Sequence, residues 1–231
     1  AYVAYTIVVI LWGAFVRVSF SGDGCGDHWP LCRGTLVPHG GSSELVVELL
    51  HRVTSTLCGV FAIAFVVAAR RVFPPGHGAR RYAWLGLSFV VTEGLFGAAL
   101  GKLRLVAHDT SISRAYLMAA HLCNTFALLY AVVGVAEHGR DDRAAGPRAR
   151  GDLVTIVAGY AALLLVGTTG AVTALGDTLF PVTSLAEGES MTFSDSAHLF
   201  VRLRIYHPLL AIAVGAGVLA AAVSAARAVP Q

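Results

Sequence analysis

Residues 48–71 read ELLHRVTSTLCGVFAIAFVVAARR. Between Arg52 and Arg70 the stretch carries no charged side chain, and with its flanks it reaches the about 20 residues that cross a hydrocarbon core as a helix. Glu48, His51 and Arg52 stand at its start, and the three-residue step from Glu48 to His51 puts carboxylate and imidazole on one helical face. Ionisable groups inside a membrane helix are expensive and usually functional. This segment therefore sets both the expected fold, a helical membrane protein, and the question of what its acid and histidine do.

The rest of the chain agrees with that class. Of its 231 residues 56% are hydrophobic and 13% charged, and the mean hydropathy is +0.69, outside the range of ordinary soluble domains. The formal charge of +3 carries no nucleic-acid signature, because the arginines sit in short clusters between apolar runs, where they orient a membrane protein. Six apolar stretches, near 2–20, 44–69, 82–101, 113–136, 152–174 and 198–225, are expected to span. The first lacks a small-residue cleavage site and is expected to be a span, not a signal peptide. Arg70, Arg71, Arg80 and Arg81 mark the second connection as cytoplasmic, and Arg140, Arg143, Arg148 and Arg150 mark the fourth. The loops 21–43, 102–112 and 175–197 then face outward and both chain ends face the cytoplasm. Cys25 and Cys32, in CGDHWPLC, fall in the first outer loop, where an oxidising compartment favours a disulfide; unpaired thiols or a metal pair are the alternatives. Cys58 and Cys123 lie inside spans as small core residues.

The two halves are weakly alike, in the same order. Gly13 and Gly22 match Gly167 and Gly176, GTLVP at 34–38 matches DTLFP at 177–181, and His51 matches His207. The repeat unit is then four helices, with the last two spans starting a second copy. A second-half counterpart of His121, which follows His51 by 70 residues, would fall near position 277, beyond the last residue.

Nine histidines are present. His28, His39, His77, His108 and His138 lie in loops and are expected to be solvated, and His198 stands at the edge of the sixth span. His51, His121 and His207 lie within apolar spans. At a rise of about 1.5 Å per residue, His51 and His121 sit roughly 10 to 12 Å below the outer ends of two helices running in the same direction. Imidazoles at matched depth are suited to be the two axial ligands of a porphyrin iron standing between helices. The alternatives are two unrelated histidines bonded to neighbours or, less favoured for want of a carboxylate or thiolate cluster, a zinc site. Glu48 can orient His51, handle protons, or simply pair with Arg52. Arg17, Arg52 and Arg114 lie near outer helix ends, where they can meet haem propionates or anchor the interface. Glu93, deep in the third span, is expected to pair with a polar residue of the fourth span such as Asn124.

GAFVRVSFSGDGCGDHWPLCRGTLVP (13–38) followed by ELLHR, then TEGLFGAALGKLRLV leading into AAHLCNTFALL, and GDTLFP before the His207 span together resemble the heme A synthase family, in order and over most of the chain. The resemblance implies oxidation of a ring methyl of heme O to a formyl group in two hydroxylation-like steps, in a protein of two four-helix halves. It implies that His51 and His121 frame the N-terminal site with Glu48 as the nearby acid, that His207 is one ligand of a C-terminal haem b, and that Cys25 and Cys32 are the family's outer-loop pair. Implied partners are the heme O substrate, the lipid bilayer, heme O synthase and oxidase assembly factors, in the bacterial inner membrane; a homo-oligomer is left open. The expected organisation is an N-terminal half over 1–137, a cytoplasmic linker over 138–151 and a partial C-terminal half over 152–231. Two departures stand out: Pro208 follows His207 where Arg52 follows His51, and the third outer loop has no cysteine pair. The main rival is a cytochrome b-like electron carrier that holds haem between the same histidines without altering it. A transporter is disfavoured because a four-helix repeat would not be inverted in the membrane.

Overall fold

The computed structural model describes residues 1–109, 111–140, 150–197 and 199–227. His198 and residues 141–149 of the expected linker lie outside them. Seven α-helices carry the described chain: α1 Tyr2–Val18, α2 Ser43–Val72, α3 Gly78–Lys102, α4 Ile112–Arg140, α5 Arg150–Leu179, α6 Leu185–Thr192 and α7 Leu199–Arg227. A short 3-10 turn, Ser21–Asp23, follows α1, and no strand occurs among the described residues.

Five of these helices, α2, α3, α4, α5 and α7, are long and apolar enough to cross a membrane. The first expected span is the exception to the six. α1 is apolar but has 17 described residues, about 25 Å at 1.5 Å per residue, against a core of about 30 Å. Outward-facing apolar side chains such as Leu11, Leu95, Ile212 and Leu219 are more than half exposed. In water that would be a liability, but in lipid it is the expected outer surface, since the helices satisfy their backbone groups internally. The chain is a multi-pass membrane protein.

Local chemistry sets the helix ends. Pro74 and Pro75 lack backbone donors and stop α2 at Val72, and the His77 ring nitrogen accepts from the Ala79 amide to start α3. Helix α7 runs through Pro208, whose missing N–H leaves the carbonyl one turn back without its helical donor. The outer loop expected at 175–197 contains α6, opened by a reciprocal cap: Ser184 Oγ accepts from the Glu187 amide, and the Glu187 carboxylate accepts from the Thr183 amide at 2.8 Å and hydroxyl at 2.7 Å.

Those bonds from Thr183, the backbone N–H foremost, hold the Glu187 carboxyl below its usual range. The folded value lies below the unfolded one, so the cap contributes fully above the unfolded value, ~4.3, and is lost as pH falls through the folded value. Amide chemical shifts at the start of α6, titrated from neutral pH downward, should stay constant until pH is below the ordinary glutamate range. Titration at the ordinary value would show that the cap is not formed.

The chain divides into two compact units, Ala1–Gly146 and Pro147–Gln231. In the first, α1 packs on α2, α2 on α3, α3 on α4 and α4 back on α1. The four helices therefore form a ring in which α2 and α4 stand diagonally. Small residues bring α3 and α4 together: Ala83 and Ala131 are buried, and the Tyr82 ring lies over Gly134, where a Cβ would collide with it. In the second unit α7 packs on α5 and α6.

Candidate functional site

His51 and His121 are carried by the diagonal helices α2 and α4 of the N-terminal ring. His51 lies against α1 at Gly13, where a Cβ would stand 2.9 Å from its Cε1 and 3.3 Å from its Nε2. No other residue leaves the imidazole that space. Its Nδ1 is buried and has no hydrogen-bond partner among the described residues. His121 is held differently: its Nδ1 pairs with the Glu93 carboxylate of α3, and the Phe96 ring lies 6.2 Å from its own.

The partner of Glu93 is thus a polar residue of the fourth span as expected, but it is His121 and not Asn124. Asn124 bonds instead to Thr92, whose hydroxyl donates to its Oδ1 at 2.6 Å, and to the Phe89 carbonyl at 2.9 Å. A signal for the Glu93–His121 pair was present in the sequence: each residue lies nine positions from its end of the α3–α4 connection, Glu93 before Lys102 and His121 after Ile112.

Glu48 is buried, but it faces the outer loop and makes no bond to His51. Its Oε2 accepts from the Cys25 amide at 2.7 Å, and its Oε1 accepts from Arg52 Nε at 3.0 Å and Nη2 at 2.5 Å. Arg52 also donates to the carbonyls of His28 at 2.5 Å and Leu31 at 2.6 Å. Cys25 and Cys32 are joined in a disulfide and buried against Leu45. Gly26 and Gly34, with φ of +65° and +80°, supply the left-handed turns of this loop. Glu48 and Arg52 therefore form a clamp that ties the disulfide loop to α2 one turn before His51. This is the Arg52 pairing that was one alternative for Glu48, and it leaves the Arg52 guanidinium committed to protein acceptors and not to propionates. Arg114 is partly committed too, donating to the Ala107 carbonyl at 2.8 Å and that of Asp109 at 2.5 Å. Arg17, one turn above Gly13, has no hydrogen-bond or ion-pair partner among the described residues.

The second unit repeats the arrangement around His207. A Cβ on Gly170 would stand 2.8 Å from His207 Cε1 and 3.2 Å from Nε2, so the glycine beneath His207 is Gly170, one turn after the Gly167 that the sequence alignment selects. His207 Nδ1 lies 3.2 Å from the Thr169 hydroxyl. Three residues before His207, where Glu48 precedes His51, stands Arg204. It pairs with Asp177 at 2.6 Å and donates to the carbonyls of Gly176 at 3.0 Å and Phe180 at 2.7 Å. The same position ties preceding backbone to the histidine's helix in both units, the disulfide loop in one and the end of α5 in the other, with the charge reversed. Among the described residues no three His, Cys, Asp or Glu side chains gather as a metal cluster.

A ring of membrane helices with a histidine on each of two diagonal members, one lying against glycine and the other paired with a carboxylate, defines a helical membrane protein. The chain belongs to the COX15-CtaA family, described as cytochrome oxidase assembly protein, whose model matches residues 1–45 and 40–231. It is similar to a protoheme IX farnesyltransferase of Thermus thermophilus, 42% identical over 214 residues that make up 91% of this chain and 35% of that protein. It is also similar to the heme A synthase of Symbiobacterium thermophilum, 39% identical over 145 residues, 63% of this chain and 45% of that one. The heme A synthase of Bacillus mycoides is 38% identical over 93 residues, 40% of this chain and 30% of its own length. The matches thus span less than half the length of each of these relatives. No solved structure matches the chain.

Proposed function

We propose that the chain is the N-terminal site and part of the C-terminal half of a heme A synthase, oxidising a ring methyl of heme O to a formyl group within the membrane. The observation that carries this is the His51–His121 pair on diagonal helices of a chain whose family relatives include heme A synthases. The residues fit an iron porphyrin: His51 has a buried nitrogen without a protein partner, Gly13 clears the space beside its ring, and His121 is oriented by Glu93. When bound, the haem iron supplies one-electron redox chemistry that no side chain here provides.

The chain's own residues do the rest. His51 and His121 would hold the substrate iron, the Glu93 carboxylate beside His121 Nδ1 would fix its tautomer, and Arg17, whose side chain has no hydrogen-bond or ion-pair partner among the described residues, is a cation at the outer end for a propionate. The Glu48–Arg52 clamp holds the disulfide loop at the outer end of α2, so Glu48 acts on the site by placing that loop. His207 is one ligand for a C-terminal haem b, and the disulfide supports an outward, oxidising location for its loop, hence an inner-membrane topology with the arginine clusters in the cytoplasm. The farnesyltransferase name belongs to a protein of which the match takes in 35%, and the unmatched length is ample for that activity. Heme O synthase and oxidase assembly factors are the proposed partners.

The cytochrome b-like reading shares the same histidines. With both its oxygens engaged by Cys25 and Arg52, Glu48 does not separate the two readings; family membership is what favours the enzyme. The test is expression in a host that makes heme O but not heme A, with extracted haems identified by chromatography and mass detection. Heme A or its hydroxylated intermediate is expected, and His51→Ala or His121→Ala should abolish both. Protein that binds heme O and returns it unmodified would favour the electron carrier.

A further inference from the structure

The two histidines of the N-terminal site are not equivalent. His121 Nδ1 stands in ion-pair contact with the Glu93 carboxylate, although neither atom meets hydrogen-bond geometry, while His51 Nδ1 has neither an ion pair nor a hydrogen bond among the described residues and its ring rests against a bare α-carbon at Gly13. His207, whose Nδ1 lies 3.2 Å from the Thr169 hydroxyl, has an uncharged partner. An imidazole whose far N–H is held by a carboxylate gains imidazolate character and donates more strongly to a metal, and loss of such a partner typically weakens metal binding about 10–100-fold. The carboxylate also restrains the His121 ring, whereas no bond restrains that of His51.

We infer that His51 is the ligand that leaves the iron and that Glu93 is a positioning residue that keeps His121 on it. This rests on the haem site proposed between the two histidines. A pair of strong axial ligands would leave no coordination position for a small molecule. The asymmetry supplies one: the bond from His51 to the iron breaks with its electron pair staying on the imidazole, while His121 remains. Gly13 lets the released ring move without striking a side chain of α1.

The test uses the full chain, purified in detergent with its haem. The reduced protein should first show a six-coordinate, low-spin spectrum; if it does not, the paired-histidine site itself is wrong. Carbon monoxide is then bound and photolysed, and resonance Raman reads the iron–histidine stretching band of the five-coordinate product, whose frequency rises when the retained imidazole is bonded to a carboxylate. The band is expected to move to lower frequency in Glu93→Gln, an isosteric change that removes only the charge. His51→Ala should reproduce the wild-type band. His121→Ala should not, and should retain haem roughly 10–100-fold less well than His51→Ala. A wild-type band that ignores Glu93→Gln, or that His121→Ala reproduces, would overturn the assignment of the leaving ligand while the haem site stands.

Discussion

Glu48→Ala should destabilise the N-terminal unit by roughly 3–5 kcal/mol, the usual effect of removing one member of a buried ion pair. The Glu48 and Arg52 side chains are only 8% and 13% exposed, so solvent screens the pair little. Alanine would strip Arg52 of its charged partner and leave the Cys25 amide without its acceptor. Glu48→Gln keeps an oxygen for one of those donors but loses the charge, and should fall between wild type and Glu48→Ala. Denaturant titration in detergent measures the loss. Amide exchange at Cys25 places it, because protection there depends on Glu48 directly. An unchanged stability in Glu48→Ala would mean that the loop carbonyls satisfy Arg52 by themselves and that the clamp contributes nothing.

Gly13→Val should cost the haem of the N-terminal unit its His51 ligand, leaving a five-coordinate haem held by His121. A single Cβ already stands 2.9 Å from His51 Cε1, tighter than real contacts allow, and valine adds two methyls in a helix whose rotamer is restricted. Overpacking of this kind typically destabilises by about 1–3 kcal/mol, but the larger effect is on geometry, since the imidazole must leave its place. Gly170→Val should do the same to His207, where the corresponding distance is 2.8 Å, without disturbing the His51 site. Haem content and absorbance of the two variants measure the outcome. Gly13→Val protein whose N-terminal haem keeps the wild-type six-coordinate spectrum would show that His51 is not a ligand in the position the structure gives it.

The paired glycine contacts also bear on the internal repeat. Gly13 with His51 and Gly170 with His207 present the same bare α-carbon to the same ring edge, and the residue three positions before each histidine bonds to backbone that precedes its own helix, the disulfide loop in one unit and the end of α5 in the other. The two units share this device although Glu48 and Arg204 have opposite charge, because what they bind is opposite too: an amide donor in one case, carbonyl acceptors in the other.

Hydropathy and charge placement alone determined that the chain is a helical membrane protein, because crossing a hydrocarbon core demands long apolar segments whatever their packing. They also singled out His51, His121 and His207, since a polar group in such a segment is visible without knowing its neighbours. The partners of those histidines were decided by the tertiary structure. Glu48 stands one turn from His51 in sequence and shares its face, yet its carboxylate is drawn to Arg52, one turn on along the same helix, and to the Cys25 amide, which reaches it only once the disulfide loop folds over α2. Glu93, 28 residues from His121 in sequence, meets its ring because α3 and α4 are antiparallel and packed side by side. Helical spacing fixes what lies along one helix; which neighbouring helix supplies the acceptor, and hence which histidine is held and which is free, depends on packing between helices that no local pattern encodes.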